Sequence, residues 1–130
     1  MIVDTSVVIA VLKEESDGPR FLRALTVSTQ PKRISAANYL EAAIVVDANR
    51  NPLLSPRLDD LIVQTEIEIE AVTPQQADIA RAAYRDFGRG SGHPAQLNFG
   101  DCFAYALAKS MREPLLFKGD DFPQTDVAIA

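Results

Sequence analysis

The sequence predicts one α/β domain over residues 1-130, a three-layer α/β/α sandwich with a mostly parallel central sheet. Three observations support this prediction. The chain of 130 residues has the length of an ordinary single domain. Hydrophobic residues make up 47% of it, enough to bury a core without disulfides or structural metals. Short strand-like segments alternate with helical ones, which is the pattern of a parallel sheet covered on both faces.

Five short segments have the composition or the alternation of strands. One of them, Glu66–Val72, alternates glutamate with isoleucine, which is the period of a strand with one polar face. Its glutamate face must contact water, so we expect this segment at the edge of the sheet. The predicted strands are Met1–Val3, Arg33–Ser35, Glu66–Val72, Leu115–Phe117 and Val127–Ile129.

Six helices are predicted between these strands, several with recognisable start signals. Thr73 and Asn98 are expected to cap the helices that follow them, because their side chains can accept hydrogen bonds from free amides. Asp17 is expected to cap the next helix in the same way, and Pro19 is well suited to the first turn of that helix. The predicted helices are Val7–Leu12, a segment from Gly18, Ala37–Arg50, and segments that begin at Ser55, at Pro74 and after Asn98, the last through Met111.

The net charge of −5 argues against a protein that binds nucleic acid over its whole surface, because lysine and arginine make the phosphate contacts. The charge is unevenly distributed, however. The segment Arg81–Lys118 holds six basic and three acidic residues and is locally positive. Arg81, Arg85 and Arg89 recur every four residues, as on one face of a helix. This face is either a solvated surface or a rim that guides phosphate groups.

No part of the chain predicts a membrane span or a secretion signal. No apolar run reaches the roughly 20 residues that cross a bilayer. The opening Met1–Asp4 lacks the basic region of a signal peptide. Cys102 is the only cysteine, so an internal disulfide is impossible. We therefore expect a cytoplasmic protein without a membrane partner.

Acidic residues follow two predicted strands and lie early in two predicted helices. Asp4 comes directly after the first strand, and Asp120 and Asp121 follow the fourth. Glu41 lies early in the helix after the second strand, and Asp101 in the first turn of the last helix. Ligands of open α/β sheets bind at the carboxyl ends of the strands. We therefore expect these acids to converge on one crevice.

A group of four carboxylates is destabilising unless a cation binds, because like charges repel. Carboxylate oxygens are hard ligands, suited to Mg²⁺ or Mn²⁺. The chain has one histidine and one cysteine, so a closed zinc site is not expected. Bound Mg²⁺ can activate water and stabilise the leaving oxygen of a phosphodiester. The composition therefore favours hydrolysis that needs neither a histidine nor a covalent nucleophile.

Four motifs follow one another along the whole chain: IVDTSVVIAVL, NYLEAAIVV, NFGDCFAYALAK and LLFKGDDF. Each is weak alone, but together they resemble the PIN-domain family, and more narrowly the VapC-type toxins of bacterial VapBC toxin–antitoxin modules. The resemblance implies a PIN-like α/β fold and an endoribonuclease that depends on Mg²⁺ or Mn²⁺. It also implies a homodimer that a cognate VapB-type antitoxin inhibits.

The resemblance assigns roles to individual residues. Asp4, Glu41 and Asp101 match three of the family's metal-binding acids. Asp120 best matches the fourth acid, which reaches the metal through water. Ser6 matches a small hydroxyl residue that supports the site.

The chain departs from the family pattern before the fourth acid. Many relatives carry threonine where this chain has Lys118, and Asp121 directly follows Asp120, so the choice between the two aspartates stays open. The basic residues expected to hold the RNA backbone are Arg85, Arg89 and Lys118.

Other interpretations of these residues stay open at this point. Asp4 could be only a helix cap, Glu41 a solvated residue, and Asp101 an acid favoured by the helix dipole. A phospho-receiver domain also has a small α/β fold, but it needs paired acids after its first strand, and this chain has one. A hydrolase built on Cys102 and His93 would lack an orienting partner.

The expected antitoxin would place a segment in an apolar groove and block the site, as segments that fold on binding can do. We predict this groove on the first two helices and beside the start of the third. The predicted groove residues are Val8, Val11, Leu12, Phe21, Leu25, Tyr39 and Leu40.

Overall fold

The computed structural model describes all 130 residues, which form four strands and six helices. The strands are β1 (Ile2–Val3), β2 (Lys32–Ser35), β3 (Ile67–Glu70) and β4 (Leu115–Leu116). The helices are α1 (Thr5–Leu12), α2 (Gly18–Val27), α3 (Ala36–Ala48), α4 (Leu54–Gln64), α5 (Pro74–Phe87) and α6 (Phe99–Met111). None of the helices is both long and apolar enough to cross a membrane.

All four strands are parallel, in the order β3-β2-β1-β4. In β1, Ile2 lies opposite Arg33 of β2 on one side and opposite Leu115 of β4 on the other. Because the strands run in the same direction, β1, β2 and β4 all end at one edge of the sheet. The residues that follow these three strands are therefore neighbours in space. The predicted parallel sheet is confirmed.

Two apolar cores lie on opposite faces of this sheet. Successive side chains of a strand point to opposite faces. In β1, Val3 belongs to the core that contains residues of α1 to α4, whereas Ile2 belongs to the core formed with α5 and α6. Both side chains are fully buried. The predicted three-layer arrangement is therefore confirmed.

Helix α6 is buried around most of its circumference. It packs against α5, α3 and the strands β1, β2 and β4. Three of its buried residues are alanines, and small side chains let a helix approach its neighbours closely. Contacts on several sides fix the position of its first turn, which carries Asp101.

Strand β3 lies at one edge of the sheet, as predicted, but its glutamates do not face only water. The Nε atom of Arg33 lies 3.4 Å from Glu68 Oε2 and 3.2 Å from Glu70 Oε1. The parallel pairing of β2 and β3 places Arg33 opposite Glu68, which explains the contact. The neighbouring Ile69 is 46% exposed. The polar face of this strand is therefore partly covered by a cation from β2.

The predicted caps of α5 and α6 are confirmed. Thr73 Oγ1 accepts a hydrogen bond from the Gln76 amide at 3.1 Å, and Asn98 Oδ1 accepts one from the Asp101 amide at 2.8 Å. Asp17 does not cap α2 with its side chain, because its backbone has helical rather than extended dihedral angles. Its Oδ1 instead accepts a hydrogen bond from a lysine at the end of β4.

Two further predictions are wrong. Val127–Ile129 is not a strand, since only Ile129 forms a single bridge, to Leu115. The predicted groove is also wrong in most of its lining: Val11 and Tyr39 are half-buried and Leu40 is exposed, but the other four residues are buried in the core beneath the first two helices. Those four are Val8, Leu12, Phe21 and Leu25. The apolar side of a helix that faces the core has the same periodicity as one that binds a partner, so sequence alone does not separate them.

Candidate metal centre

Asp4 joins the central strand to the first helix. Its amide donates a hydrogen bond to the carbonyl oxygen of Leu116 at 3.0 Å, and its extended backbone lets it cap α1. Burial, which leaves the residue 4% exposed, raises the pKa of its carboxyl. Hydrogen bonds from Ser6 oppose this shift, and the negative charge of Glu41 adds to it. The fold thus places an acid where its ionised form is costly.

Ser6 connects Asp4 to the end of β4. Its Oγ donates a hydrogen bond to Asp4 Oδ2 at 2.5 Å and accepts one from the Lys118 amide at 2.9 Å. The Ser6 amide donates to the same carboxylate oxygen at 2.9 Å. These contacts hold Asp4 in one orientation and anchor the segment after β4. They agree with a supporting role for Ser6.

Glu41 reaches the site from α3, which follows β2. It is half-buried on the second turn of the helix. Its carboxylate occupies the space beside Gly100 where a side chain would begin. Gly100 directly precedes Asp101, so the packing of α3 on α6 brings Glu41 beside Asp101.

Asp101 takes part in a reciprocal cap at the start of α6. Its amide donates to Asn98 Oδ1 at 2.8 Å, and its Oδ2 accepts from the Asn98 amide at 2.9 Å. Burial raises the pKa of Asp101 to about 6, against the hydrogen bond from Asn98. The charges of Asp4, Asp121 and Glu41 raise it further. These three acids therefore share one electrostatic environment with Asp101.

Asp121 and Asp120 differ in burial and in their influence on this group of acids. Asp121 is half-buried and its charge raises the pKa of Asp101. Asp120 is exposed and is not among the charges that shift Asp4 or Asp101. Gly119 has a left-handed φ of 112°, and the turn that it makes possible precedes both aspartates. The position of Asp120 therefore does not support it as the fourth acid.

No basic side chain neutralises these acids. The salt bridges of the protein involve none of the four residues Asp4, Glu41, Asp101 and Asp121. A buried carboxylate without a cationic partner is destabilising unless it binds a proton or a metal ion. The N-termini of α1 and α6 offset part of this cost, because helix dipoles favour negative charge there.

The donor set fits a hard divalent cation. All four side chains offer carboxylate oxygens, which suit Mg²⁺ or Mn²⁺. No three acidic, histidine or cysteine side chains are grouped closely enough to hold a metal ion as they stand. The fit to Mg²⁺ or Mn²⁺ is therefore one of donor chemistry and shared electrostatic environment rather than of coordination distances.

The alternative site on cysteine and histidine is not supported. Cys102 is 4% exposed, and burial raises the pKa of its thiol to about 11, so the thiol is protonated near neutral pH. The ring of His93 packs edge-on against Phe87 at 4.9 Å. Its Nδ1 accepts a hydrogen bond from the Ala95 amide at 3.1 Å. Both residues are therefore engaged in packing and loop structure.

The three predicted RNA-contacting residues differ in their surroundings. Arg85 lies on α5 and pairs with the next residue along the chain at 3.0 Å. Arg89 lies beyond the end of α5, so the predicted helical stripe ends before it; the residue is exposed. The ammonium group of Lys118 is held by Glu15 and Asp17. The charge of Lys118 is therefore already balanced within the protein.

Sequence reasoning overlooked a buried polar contact beside the acids. Asn38 on α3 is fully buried, and its Nδ2 donates to the carbonyl oxygen of Gly100 at 2.9 Å. Thr5 Oγ1 donates to the carbonyl oxygen of Asn38 at 3.2 Å. Two signals could have identified this contact: an asparagine three residues before Glu41 in an alanine-rich helix, and a glycine inside a helix directly before Asp101.

Comparison with known sequences covers almost the whole chain. The PIN-domain profile matches residues 1–128. Ribonuclease VapC28 of Mycobacterium tuberculosis is 57% identical over 127 residues, which are 98% of this chain and 95% of that protein. Ribonuclease VapC42 of the same species is 46% identical over 127 residues, 98% of this chain and 96% of that protein.

Solved structures share the fold. VapC20 of Mycobacterium tuberculosis, a sarcin-ricin loop cleaving toxin, has a TM-score of 0.75 at 15% identity and covers 99% of this chain and 97% of its own. FitAcB of Neisseria gonorrhoeae has a TM-score of 0.72 at 20% identity, and the match covers 98% of this chain and 94% of that one. With a family profile over nearly its full length and relatives at 57% and 46% identity, the chain belongs to the PIN-domain family, as a member of its VapC type.

Proposed function

We propose that this protein is a metal-dependent endoribonuclease and the toxin component of a type II toxin–antitoxin module. The observation that carries the proposal is a group of neighbouring carboxylates at the carboxyl edge of the sheet, with no cationic partner in the protein. Such a group becomes stable when it binds a divalent cation. The identity to proteins named VapC ribonucleases supports the same activity.

Each acid has a role in this proposal. Asp4, Glu41 and Asp101 would hold Mg²⁺ or Mn²⁺, and Asp121 takes the place that the family resemblance assigned to Asp120. When bound, the ion supplies an activated water molecule and stabilises the leaving oxygen of the RNA phosphodiester. Ser6 keeps one oxygen of Asp4 in a fixed orientation through its hydroxyl and its amide. Asp101 must release its proton before it can act as a ligand.

The proposal includes three partners. RNA is the substrate, and the exposed Arg89, which forms no salt bridge, would contact its phosphate groups, whereas Arg85 already pairs with Asp86. A cognate VapB-type antitoxin would inhibit the enzyme, and two copies of the chain would form a homodimer. We place this activity in the cytoplasm, where the RNA substrates are. Co-expression with a candidate antitoxin should relieve growth inhibition by this protein, and a small open reading frame found beside its gene would be the first candidate to test.

The test of the activity is cleavage of total RNA by the purified protein. We expect discrete fragments with Mg²⁺ or Mn²⁺ and none with EDTA, and mapping of the fragment ends would identify the RNA class. Asp101→Asn should reduce cleavage by more than about 100-fold, since even outer partners of a metal site are worth about 10- to 100-fold. Cleavage at the wild-type rate by this variant, or in EDTA, would contradict the assignment.

A matched pair of neighbouring residues tests the fourth acid. Asp121→Asn should lower cleavage, whereas Asp120→Asn should leave it unchanged, because of these two aspartates only Asp121 raises the pKa of Asp101. The reverse result would restore Asp120 to the site. Covalent labelling of the purified protein by a small phosphodonor would instead favour the phospho-receiver interpretation.

A further inference from the structure

We propose that Gly100 and Asn38 are positioning residues that hold the carboxylate of Glu41 beside Asp101. Gly100 leaves the space that this carboxylate fills, and Asn38 ties the first turn of α6 to α3. The inference rests on the proposed function, because it concerns how the metal-binding acids are brought together. It predicts that Gly100 and Asn38, which lie outside the acidic group, measurably affect metal affinity.

The space beside Gly100 is occupied by an ionisable group. A Cβ atom built on Gly100 would lie 2.8 Å from Glu41 Oε1, 2.9 Å from its Cδ, and closer still to Oε2. Real Cβ atoms essentially never approach another heavy atom this closely. Any side chain at position 100 would therefore move the Glu41 carboxylate. That carboxylate is the end of a flexible side chain, so it can move without a change in the backbone.

Backbone conformation does not explain this glycine. The glycines with left-handed φ angles are Gly90, Gly92 and Gly119, and a Cβ atom on any of them would meet nothing. Gly100 shows the opposite combination: it lies in the first turn of α6, without a left-handed φ, and its neighbouring space is full. Glycine destabilises a helix relative to alanine. The residue is therefore explained by the space that Glu41 needs.

Asn38 supports the same arrangement from α3. It is fully buried, lies three residues before Glu41 and so shares its helix face, and its Nδ2 donates to the Gly100 carbonyl oxygen at 2.9 Å. Its Oδ1 is buried without a hydrogen-bond partner. A buried side-chain amide whose oxygen has no hydrogen bond destabilises the protein, so stability alone does not explain this asparagine. Its one side-chain hydrogen bond sets the distance between the two helices that carry Glu41 and Asp101.

Thr5 extends this contact to the third acid. Its hydroxyl donates to the carbonyl oxygen of Asn38 at 3.2 Å, and the contact is buried. Thr5 directly follows Asp4, as Gly100 directly precedes Asp101. Two buried hydrogen bonds thus join the residue next to each of these two aspartates to the helix that carries Glu41.

The decisive variant is Gly100→Ala. We expect unchanged or higher thermal stability, because alanine favours a helix, together with an Mn²⁺ affinity that is lower by about 10-fold or more. Mn²⁺ binding is measured by electron paramagnetic resonance of the free ion, without RNA. In cleavage assays, kcat at limiting Mn²⁺ should fall and recover at high Mn²⁺, while KM for RNA stays unchanged. A residue that only packs would lose stability and keep its metal affinity.

Two further variants sharpen the test. Asn38→Leu should also weaken Mn²⁺ binding, but it removes a buried hydrogen bond and can lose stability as well. Gly100→Ala combined with Glu41→Asp should bind Mn²⁺ more tightly than the sum of the two single losses predicts, because the shorter side chain leaves room for the added methyl group. Ser110→Ala in the last turn of α6 is the control, and it should bind Mn²⁺ like the wild type.

The outcomes separate this inference from the proposed function. If the wild type binds Mn²⁺ and cleaves RNA, and Gly100→Ala does both equally well, the positioning role is wrong while the function stands. Additive losses in the double variant would also overturn it, because Glu41 would then not compete with the new methyl group. If the wild type binds no Mn²⁺, the proposed function fails and this inference fails with it.

Discussion

At the scale of single residues, the ionisation of Asp101 shows how the surroundings of a side chain can change its chemistry. Its ordinary pKa is 3.8, and burial with three neighbouring acids raises it to about 6. The folded protein therefore holds this proton more tightly than the unfolded chain does. The resulting contribution to stability is complete below about pH 4 and is lost as the pH rises through about 6.

This shift predicts a pH-dependent difference between the wild type and Asp101→Asn. In metal-free buffer, the variant should gain thermal stability relative to the wild type as the pH rises from 4 to 7, because it has no charge to repel the other acids. The measurement is the difference in Tm between the two proteins across this range. A difference that does not change with pH would mean that Asp101 titrates normally. Saturating Mg²⁺ should remove the wild type's disadvantage at pH 7.

Ser6 gives a second prediction at this scale. Its hydroxyl donates to Asp4 and accepts from the Lys118 amide, so Ser6→Ala removes one hydrogen bond on each side. We expect a loss of about 1 kcal/mol in the free energy of unfolding and a fall in cleavage of about 10-fold. Chemical denaturation and the RNA cleavage assay measure the two effects. Should stability fall while cleavage is unaffected, Ser6 would serve the fold alone.

At the scale of elements, the first turn of α6 is both a helix terminus and a part of the site. Asn98 caps this turn through the Asp101 amide, and Thr73 caps α5 in the same way through Gln76. The two helices pack against each other, but only α6 carries one of the acids. Removing each cap in turn therefore separates the effect of lost helix stability from the effect on the acids.

We expect Asn98→Ala and Thr73→Ala to destabilise the protein by similar amounts, about 1 kcal/mol each. Only Asn98→Ala should also reduce cleavage and Mn²⁺ affinity, because it frees the turn that orients Asp101. Thermal unfolding and Mn²⁺ binding on both variants test this. Equal losses of activity in the two variants would show that stability alone explains the effect.

At the scale of the whole molecule, the distribution of charge limits where RNA can bind. The chain carries a net charge of −5, so the protein as a whole repels RNA. Under the proposed function, RNA binding would therefore depend on local basic residues that are not already paired. Arg89 is exposed and forms no salt bridge, whereas Lys118 is held by Glu15 and Asp17.

Because Arg89 and Lys118 differ in their surroundings, replacing each by a neutral residue should affect RNA binding differently. Arg89→Met should weaken RNA binding and lower the slope of log affinity against log salt by about 0.7 to 0.9. Lys118→Met should leave this slope unchanged, because its charge is balanced within the protein. Affinity for a single-stranded RNA at several salt concentrations, measured on Asp101→Asn to prevent cleavage, provides the comparison. A slope lowered by Lys118→Met alone would reverse the assignment.

Much of the fold was predictable because local rules decide it. The alternation of strands and helices predicts a parallel sheet, and that sheet brings the ends of β1, β2 and β4 to one edge. The positions of Asp4 and Asp101 follow, since one ends a strand and the other starts a helix. The caps at Thr73 and Asn98 were also predictable, because each depends on residues only three positions apart.

The choice between Asp120 and Asp121 was not predictable. Both are aspartates in the same turn, and only the folded chain shows that Asp121 is half-buried with a charge that raises the pKa of Asp101, while Asp120 is exposed. The pairing of Lys118 with Glu15 and Asp17 joins residues about a hundred positions apart. No local pattern reports such a contact, so a lysine that looked available for RNA proved to be engaged.

The sequence by itself determined the α/β class, through the alternation of strand and helix patterns, and the family, through the resemblance of its four motifs to known proteins. It also identified Asp4, Glu41 and Asp101 as candidate acids. The tertiary structure alone decided which acids share one environment, which cations are already paired, and that Glu41 fills the space beside Gly100. The physical reason is the range of the forces involved. Neighbouring residues determine local hydrogen bonds and apolar patterns. Charge interactions and close packing depend on distances that only the folded chain creates.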